Sequence, residues 1–223
     1  MLRAVLFDVD FTLALPGPEL GPEGYRKLGE RHGLTLDPER YDEARQAAIA
    51  SLQRHPEHVH DDELWTRFTE QIVRGMGGDA DGALECATEL VAVWEQHDKF
   101  TLYEDALPVL AELRSHDLKL GLISNGSRDL EEFVRHHALE VDCAVGSRAF
   151  GRTKPHPDIF HQALSLLGVE ATETAMVGDS YEDDVEGARA LGMQAFLLDR
   201  DGRHHGEPGR IDTLLALPAA LGL

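Results

Sequence analysis

Ala4-Val5-Leu6-Phe7-Asp8-Val9-Asp10 decides the fold. Four apolar residues in an unbroken run, without the alternation of a half-exposed strand, are the pattern of a strand buried on both faces of a parallel sheet. Two carboxylates come next, two residues apart, and so lie on the same side where that strand ends.

Outward from this stretch the chain changes texture twice. Residues 22 to 97 lose strand character and read as four helices, at about 22–32, 38–54, 62–75 and 80–97. Asp37-Pro38 is a cap and first-turn pair for the second, and Gly75-Met76-Gly77-Gly78 stops the third. Leu64, Phe68 and Ile72, then Leu84, Leu90, Val91 and Trp94, recur at helical spacing and are read as bundle core. After Tyr103 helices and strands alternate again. Helices at about 105–115 (Ala106, Leu110 and Leu113 inward), 127–138, 157–167 and from 183 interleave with strands at 118–123, 143–145, 174–177 and 194–198. Such alternation means right-handed crossovers and a parallel sheet covered on both faces. The expected class is therefore α/β, a Rossmann-like parallel sheet core with an inserted helical bundle. The core takes residues 1–15 and 100–223 and the insertion 16–99, with hinges at Leu15-Pro16-Gly17-Pro18 and around Lys99 to Tyr103.

Composition narrows the function. The 223 residues carry 21 Lys and Arg against 41 Asp and Glu, a formal charge of −20. Such a field repels nucleic acid and anionic lipid. An anionic substrate would need a local cation, a metal or a placed lysine, to override it. Cys86 and Cys143 make neither a disulfide framework nor a zinc cluster and are expected as buried small hydrophobes. The apolar start stops at Asp8, too short for a signal peptide, and no run approaches the roughly 20 apolar residues of a membrane span. The expected location is cytoplasmic. At 42% hydrophobic and 28% charged residues the composition is that of an ordinary globular chain.

In an open parallel sheet ligands bind beyond the carboxyl ends of the strands. Asp8 and Asp10 stand after the first run, Ser124 and Asn125 after the second, Lys154 after the third, and Gly178, Asp179, Asp183 and Asp184 after the fourth. Carboxylates clustered without His or Cys suit Mg²⁺, and like charges so close need a cation to hold them.

Four segments in order, Asp8-Val9-Asp10-Phe11-Thr12-Leu13, Ser124-Asn125-Gly126, Lys154-Pro155-His156-Pro157 and Gly178-Asp179-Ser180 through Asp183-Asp184, resemble the motifs of the haloacid dehalogenase-like hydrolase superfamily, in its helical-cap branch. The resemblance spans nearly the whole chain. It implies a Mg²⁺-dependent phosphatase acting on a small phosphorylated metabolite through an aspartyl-phosphate on Asp8. It implies Asp10 as general acid and then base, and Ser124, Asn125 and Lys154 around the phosphoryl group. Asp8, Asp179 and the backbone carbonyl of Asp10 would hold the metal. Asp183 or Asp184 would hold a metal-bound water, and Val185-Glu186-Gly187-Ala188 favours Asp184. A dehalogenase of the superfamily would lack Asp10 and need no metal. A phosphomutase differs only in the acceptor, and a silent member would have lost one of these groups. The chain departs from the pattern at Phe11, usually glycine, which narrows or covers the site and bears on substrate size.

Arg26, Lys27, Arg31 and Arg45 are candidates to meet substrate anions but read more simply as solvated helix faces. The cluster His55, His58, His60, Asp61 and Asp62 reads as a polar loop between helices, His136-His137 and His204-His205 likewise as surface, and Trp65 and Trp94 as bundle core.

Overall fold

In a computed structural model, which describes residues 1–52 and 54–223, the chain divides into two compact units. One is Met1–Leu15 with Thr101–Leu223, the other Pro16–Phe100. The strands are β1 (Ala4–Phe7), β2 (Ala14–Pro16), β3 (Phe100–Leu102), β4 (Lys119–Ser124), β5 (Cys143–Gly146), β6 (Thr174–Gly178), β7 (Gln194–Leu198) and β8 (Arg210–Ile211). Six form one sheet in the order β5-β4-β1-β6-β7-β8, while β2 and β3 form a two-stranded sheet where the chain passes between the units.

Every neighbouring pair in the large sheet is parallel. All four residues of β1 are fully buried, as a strand covered on both faces requires. Phe7 lies level with Leu122 of β4 and Val177 of β6. The residues beyond each strand therefore emerge along one edge. The helices of this unit are α5 (Ala106–Ser115), α6 (Leu130–His136), α7 (Ser147–Phe150), α8 (Pro157–Leu167), α9 (Gly187–Ala190) and α10 (Leu217–Leu221). Ala106, Val109, Leu110 and Leu113 of α5 are buried, and Ile159, Phe160 and Ala163 of α8 join Leu6, Ile123 and Met176 in the core.

The other unit holds α1 (Pro22–Arg31), α2 (Tyr41–Ala50), α3 (Asp62–Gly75) and α4 (Ala80–Trp94). Their apolar faces share one core that includes Tyr25, Ala44, Ile72, Met76, Cys86 and Leu90. Tyr25 and Tyr41 pack edge to face at 5.1 Å. Burial lifts the Tyr25 hydroxyl well above its ordinary range. No described helix is long and apolar enough to cross a membrane.

Several expectations are corrected in detail. Leu84 is 51% exposed. The buried spacing in α4 is Ala83, Cys86, Ala87 and Leu90, one step round the helix from Leu84. The helix expected at 38–54 is a 3₁₀ turn, Pro38–Arg40, followed by α2; Asp37 caps that turn by accepting from the Glu39 amide. Residue 53 of that expected span lies outside the described residues. α4 ends at Trp94, and His97, the last residue of the expected span, opens a separate 3₁₀ turn at His97–Lys99. The helix read from 127 starts at Leu130, because the Asp129 side chain takes the Glu132 amide. β8 was not foreseen: two residues carry no periodicity, and the strand is placed by tertiary bonds, Asp199 N–H to the Ile211 carbonyl at 2.8 Å and Arg210 to Asp199 at 2.6 Å. Cys86 is fully buried, whereas Cys143 is only partly so. Trp65 stacks edge-on to Phe68 and Trp94 to Phe100.

Candidate active site

Past the end of β1 the chain turns back sharply. The Val9 carbonyl accepts from Leu13 and Ala14 at 2.8 and 3.0 Å, and the Phe11 amide donates to the Ala14 carbonyl at 2.7 Å. Phe11 sits at the crown of this turn with φ +63°, in the left-handed region that glycine adopts freely and an L side chain does not. The turn faces the Thr12 hydroxyl toward the start of the loop, where it donates to Asp8 Oδ2 at 3.0 Å.

Lys154 comes after β5 in sequence and is 1% exposed. Its Nζ donates to Asp8 Oδ1 and to Asp184 Oδ1, both at 2.6 Å. Asn125 pins the backbone that carries it: the Lys154 amide donates to Asn125 Oδ1 at 2.7 Å, and Asn125 Nδ2 donates to the Lys154 carbonyl at 2.9 Å. Ser124, at the end of β4, is buried alongside.

Beyond β6 the segment Tyr181–Glu186 winds as a π turn, a form frequent at functional sites. Ser180 caps it, and its amide donates to Asp184 Oδ2 at 3.1 Å. The Asp184 carboxylate lies against the bare Cα of Gly178, where a Cβ would stand 2.0 Å from Oδ2. Asp183 points elsewhere, 3.4 Å from Asn125 Nδ2. The π turn thus separates the two adjacent acids, Asp184 to the lysine and Asp183 to the asparagine.

Carboxylate oxygens of Asp8, Asp179 and Asp184 lie within 4.8 Å of one another, the one grouping among the described residues suited to a metal ion. This is near the span of about 4 Å between opposite oxygens on one small hard cation. With all groups ionised, three carboxylates and one ammonium leave two negative charges uncompensated in a buried place. The strain shows in the acid strengths. Burial, with Asp184 adding to it and Lys154 opposing it, pushes the Asp8 carboxyl up to about 7. Burial and its two acidic neighbours hold Asp179 well above the usual carboxylate range. Burial also raises Asp184, against the pull of Lys154. For Lys154 burial works the other way, but Asp184 and Asp8 outweigh it and keep the amine charged. A divalent cation with a preference for oxygen supplies the two charges the cluster lacks, so these residues fit one.

Asp10 stands apart from this cluster. Its carboxylate is held by Arg128, whose Nη2 lies 2.5 and 2.7 Å from the two oxygens. Below, Arg200 stacks 3.8 Å over the Tyr103 ring, donates to the Thr12 carbonyl at 3.0 Å, and grips Asp105 with two nitrogens at 2.9 Å. Asp105 is also bonded by Thr213 Oγ1 and the Leu214 amide. Burial would raise its carboxyl, but these partners outweigh it and hold it low. Sequence reading missed Arg128, Arg200 and the part played by Thr12. The signal for Arg128 was present, a cation four residues behind Ser124 on the same loop, but Asp129, Glu131 and Glu132 beside it made it look like an ordinary surface charge.

In the helical unit Arg26 is paired with Glu23 and Glu30, Arg31 with Glu89, and Lys27 is exposed; Arg45 is half-buried. His60 pairs with Asp62 at 3.0 Å, while Asp61 caps α3 and holds Arg67.

Residues 2–192 match the haloacid dehalogenase-like hydrolase family. The haloacid dehalogenase-like hydrolase domain-containing protein 3 of Bos taurus is 32% identical, over 88% of this chain and 82% of its own. A glyceraldehyde 3-phosphate phosphatase of Methanopyrus kandleri is 32% identical, over 96% of this chain and 91% of its own. The crystal structure of an HAD phosphatase from Thermococcus onnurineus superposes with a TM-score of 0.68 at 30% identity, covering 99% of this chain and 98% of that one. The chain belongs to the haloacid dehalogenase-like hydrolase family.

Proposed function

We propose that this hydrolase is a Mg²⁺-dependent phosphatase of small phosphomonoesters that works through an aspartyl-phosphate on Asp8. The observation that carries the reading is the single buried lysine shared at 2.6 Å by Asp8 and Asp184, with Asp179 beside them. An electrophile that brings its own negative charge needs a nucleophile fixed next to fixed positive charge. Thr12 and Lys154 hold one Asp8 oxygen each and so leave the carboxylate little freedom to turn.

Asp8, Asp179 and Asp184 would hold the Mg²⁺ ion, with the Asp10 carbonyl, and Asp183 and Asn125 would support that arrangement from behind. When bound, the ion neutralises charge that develops on the transferring phosphoryl group. The chain's own residues do the rest. An Asp8 oxygen forms a bond to phosphorus while the bond from phosphorus to the leaving oxygen breaks, and Asp10 gives that oxygen its proton. Water then attacks the aspartyl-phosphate, loses its proton to Asp10, and releases phosphate with Asp8 restored. Ser124 and Lys154 bind the phosphoryl oxygens throughout. The presence of Asp10 separates this reading from a dehalogenase. In it, residues 16–99 act as the cap that chooses the substrate, a small phosphorylated metabolite.

The test is hydrolysis of phenyl phosphate with and without Mg²⁺. We expect EDTA to abolish turnover and Asp8→Asn to remove it while the circular dichroism spectrum stays that of the parent. Turnover indifferent to the chelator, or retained by Asp8→Asn, would reject the proposal.

A further inference from the structure

Arg128 is a buried cation that neither the motif resemblance nor the family assignment explains. Its side chain is 6% exposed, against 23% for Asp10, and it reaches across 118 residues of sequence to put one nitrogen against both Asp10 oxygens. The other side of the guanidinium is packed: its central carbon lies 4.8 Å from the centroid of Phe133, which is fully buried. The loop beneath is tied down in turn. Ser147 Oγ accepts from the Gly126 amide at 3.2 Å, and Arg148 donates to the Ser127 carbonyl at 2.7 Å. The guanidinium stacks on a buried aromatic ring, the loop that carries it is tied down, and its Nη2 is directed at Asp10.

Resting on the phosphatase reading, we infer that Arg128 is the positioning residue of the general acid, setting the direction in which the Asp10 carboxyl faces the leaving oxygen. Asp10 lies in the turn beyond β1 rather than within the sheet, and its carboxylate is bonded to Arg128 rather than to the Lys154 cluster. Proton transfer demands heavy-atom approach within hydrogen-bond reach, and a displacement of about 1 Å at such a group costs up to a hundredfold in rate. The role is separable from phosphate binding, because Lys154 reaches the site by its own bonds to Asp8 and Asp184 and Ser124 is carried there by the end of β4.

The experiment compares two aryl phosphates of similar shape. Phenyl phosphate needs a proton on its leaving oxygen; 2,4-dinitrophenyl phosphate leaves as a stable anion and does not. The readout is kcat/KM, which reports phosphoryl transfer to Asp8 and nothing after it. For Arg128→Gln we expect a fall of roughly ten- to a hundredfold on phenyl phosphate and about threefold or less on the dinitrophenyl ester. Arg128→Lys should recover part of the loss. In an Asp10→Asn background Arg128→Gln should add nothing further. An equal fall on both esters would make Arg128 a structural or substrate-binding group, and no fall on either would make it irrelevant; each outcome overturns the inference while leaving the phosphatase reading intact. A wild-type protein inactive on both esters would instead reject that reading, and the inference with it.

Discussion

Gly178→Ala is the substitution whose effect is fixed most directly by the geometry of the site. A methyl group there would meet Asp184 Oδ2 at 2.0 Å, Cγ at 2.2 Å and Cβ at 2.6 Å. Asp184 is 1% exposed and has no room to retreat while it keeps its bonds to Lys154 and the Ser180 amide. The carboxylate must leave its seat, and Lys154 then faces Asp8 alone. Breaking a buried ion pair costs about 3–5 kcal/mol. Alanine returns about 0.4–1 kcal/mol by restricting the unfolded chain. The net loss is about 2–4.6 kcal/mol, and at about 2–4 °C per kcal/mol the melting temperature should fall by roughly 4–18 °C. Thermal unfolding followed by circular dichroism, with and without Mg²⁺, measures both the fall and its origin. Bound cation raises the melting point of the parent by mass action. The variant should show a smaller rise, since one of three acidic ligands has moved. A variant that melts within about 2 °C of the parent, with the same response to Mg²⁺, would show that Asp184 is not seated against Gly178 at all.

Two other perturbations probe the same region. At Phe11, φ +63° penalises any residue with a Cβ, so Phe11→Gly should be more stable than Phe11→Ala by about 1 kcal/mol in urea melts, both variants having lost the same ring; equal stabilities would mean that the turn relaxes and stores no strain. The acid cluster gives a pH dependence of defined sign. Asp8, raised to about 7 by burial, has its unfolded value at about 4, so between those limits the folded protein binds the extra proton and the metal-free form loses stability as pH rises. A divalent cation takes the proton's place, so the Mg²⁺-induced rise in melting temperature should grow from about pH 5 to about pH 7.5. A rise that stays flat over this range would mean that Asp8 is not a ligand.

The fold was legible because its cause is local. A chain that writes Ala4-Val5-Leu6-Phe7 with no polar residue must bury both faces, and β1 lies at the centre of the sheet with β4 and β6 on either side. The positions of the candidate site residues came from the same logic, since parallel strands in register deliver the residues beyond their ends to a common edge. Leu84 shows where pattern reading stops. Several spacings fit one helix, and only the neighbours in the bundle select the face built on Ala83, Cys86, Ala87 and Leu90.

Amino-acid order alone determined which residues gather at the sheet edge: Asp8, Asp10, Ser124, Lys154 and Asp179 each stand directly behind an apolar run or in the loop after one. It did not determine how they pair. Asp183 and Asp184 are chemically identical neighbours, and their division between Asn125 and Lys154 depends on a π turn whose hydrogen bonds rotate one toward each partner. Arg128 and Asp10 are 118 residues apart, Lys154 and Asp8 146. Such pairs carry no periodicity and no spacing rule, because the electrostatic attraction that joins them acts only after packing has excluded water and brought their strands to one edge.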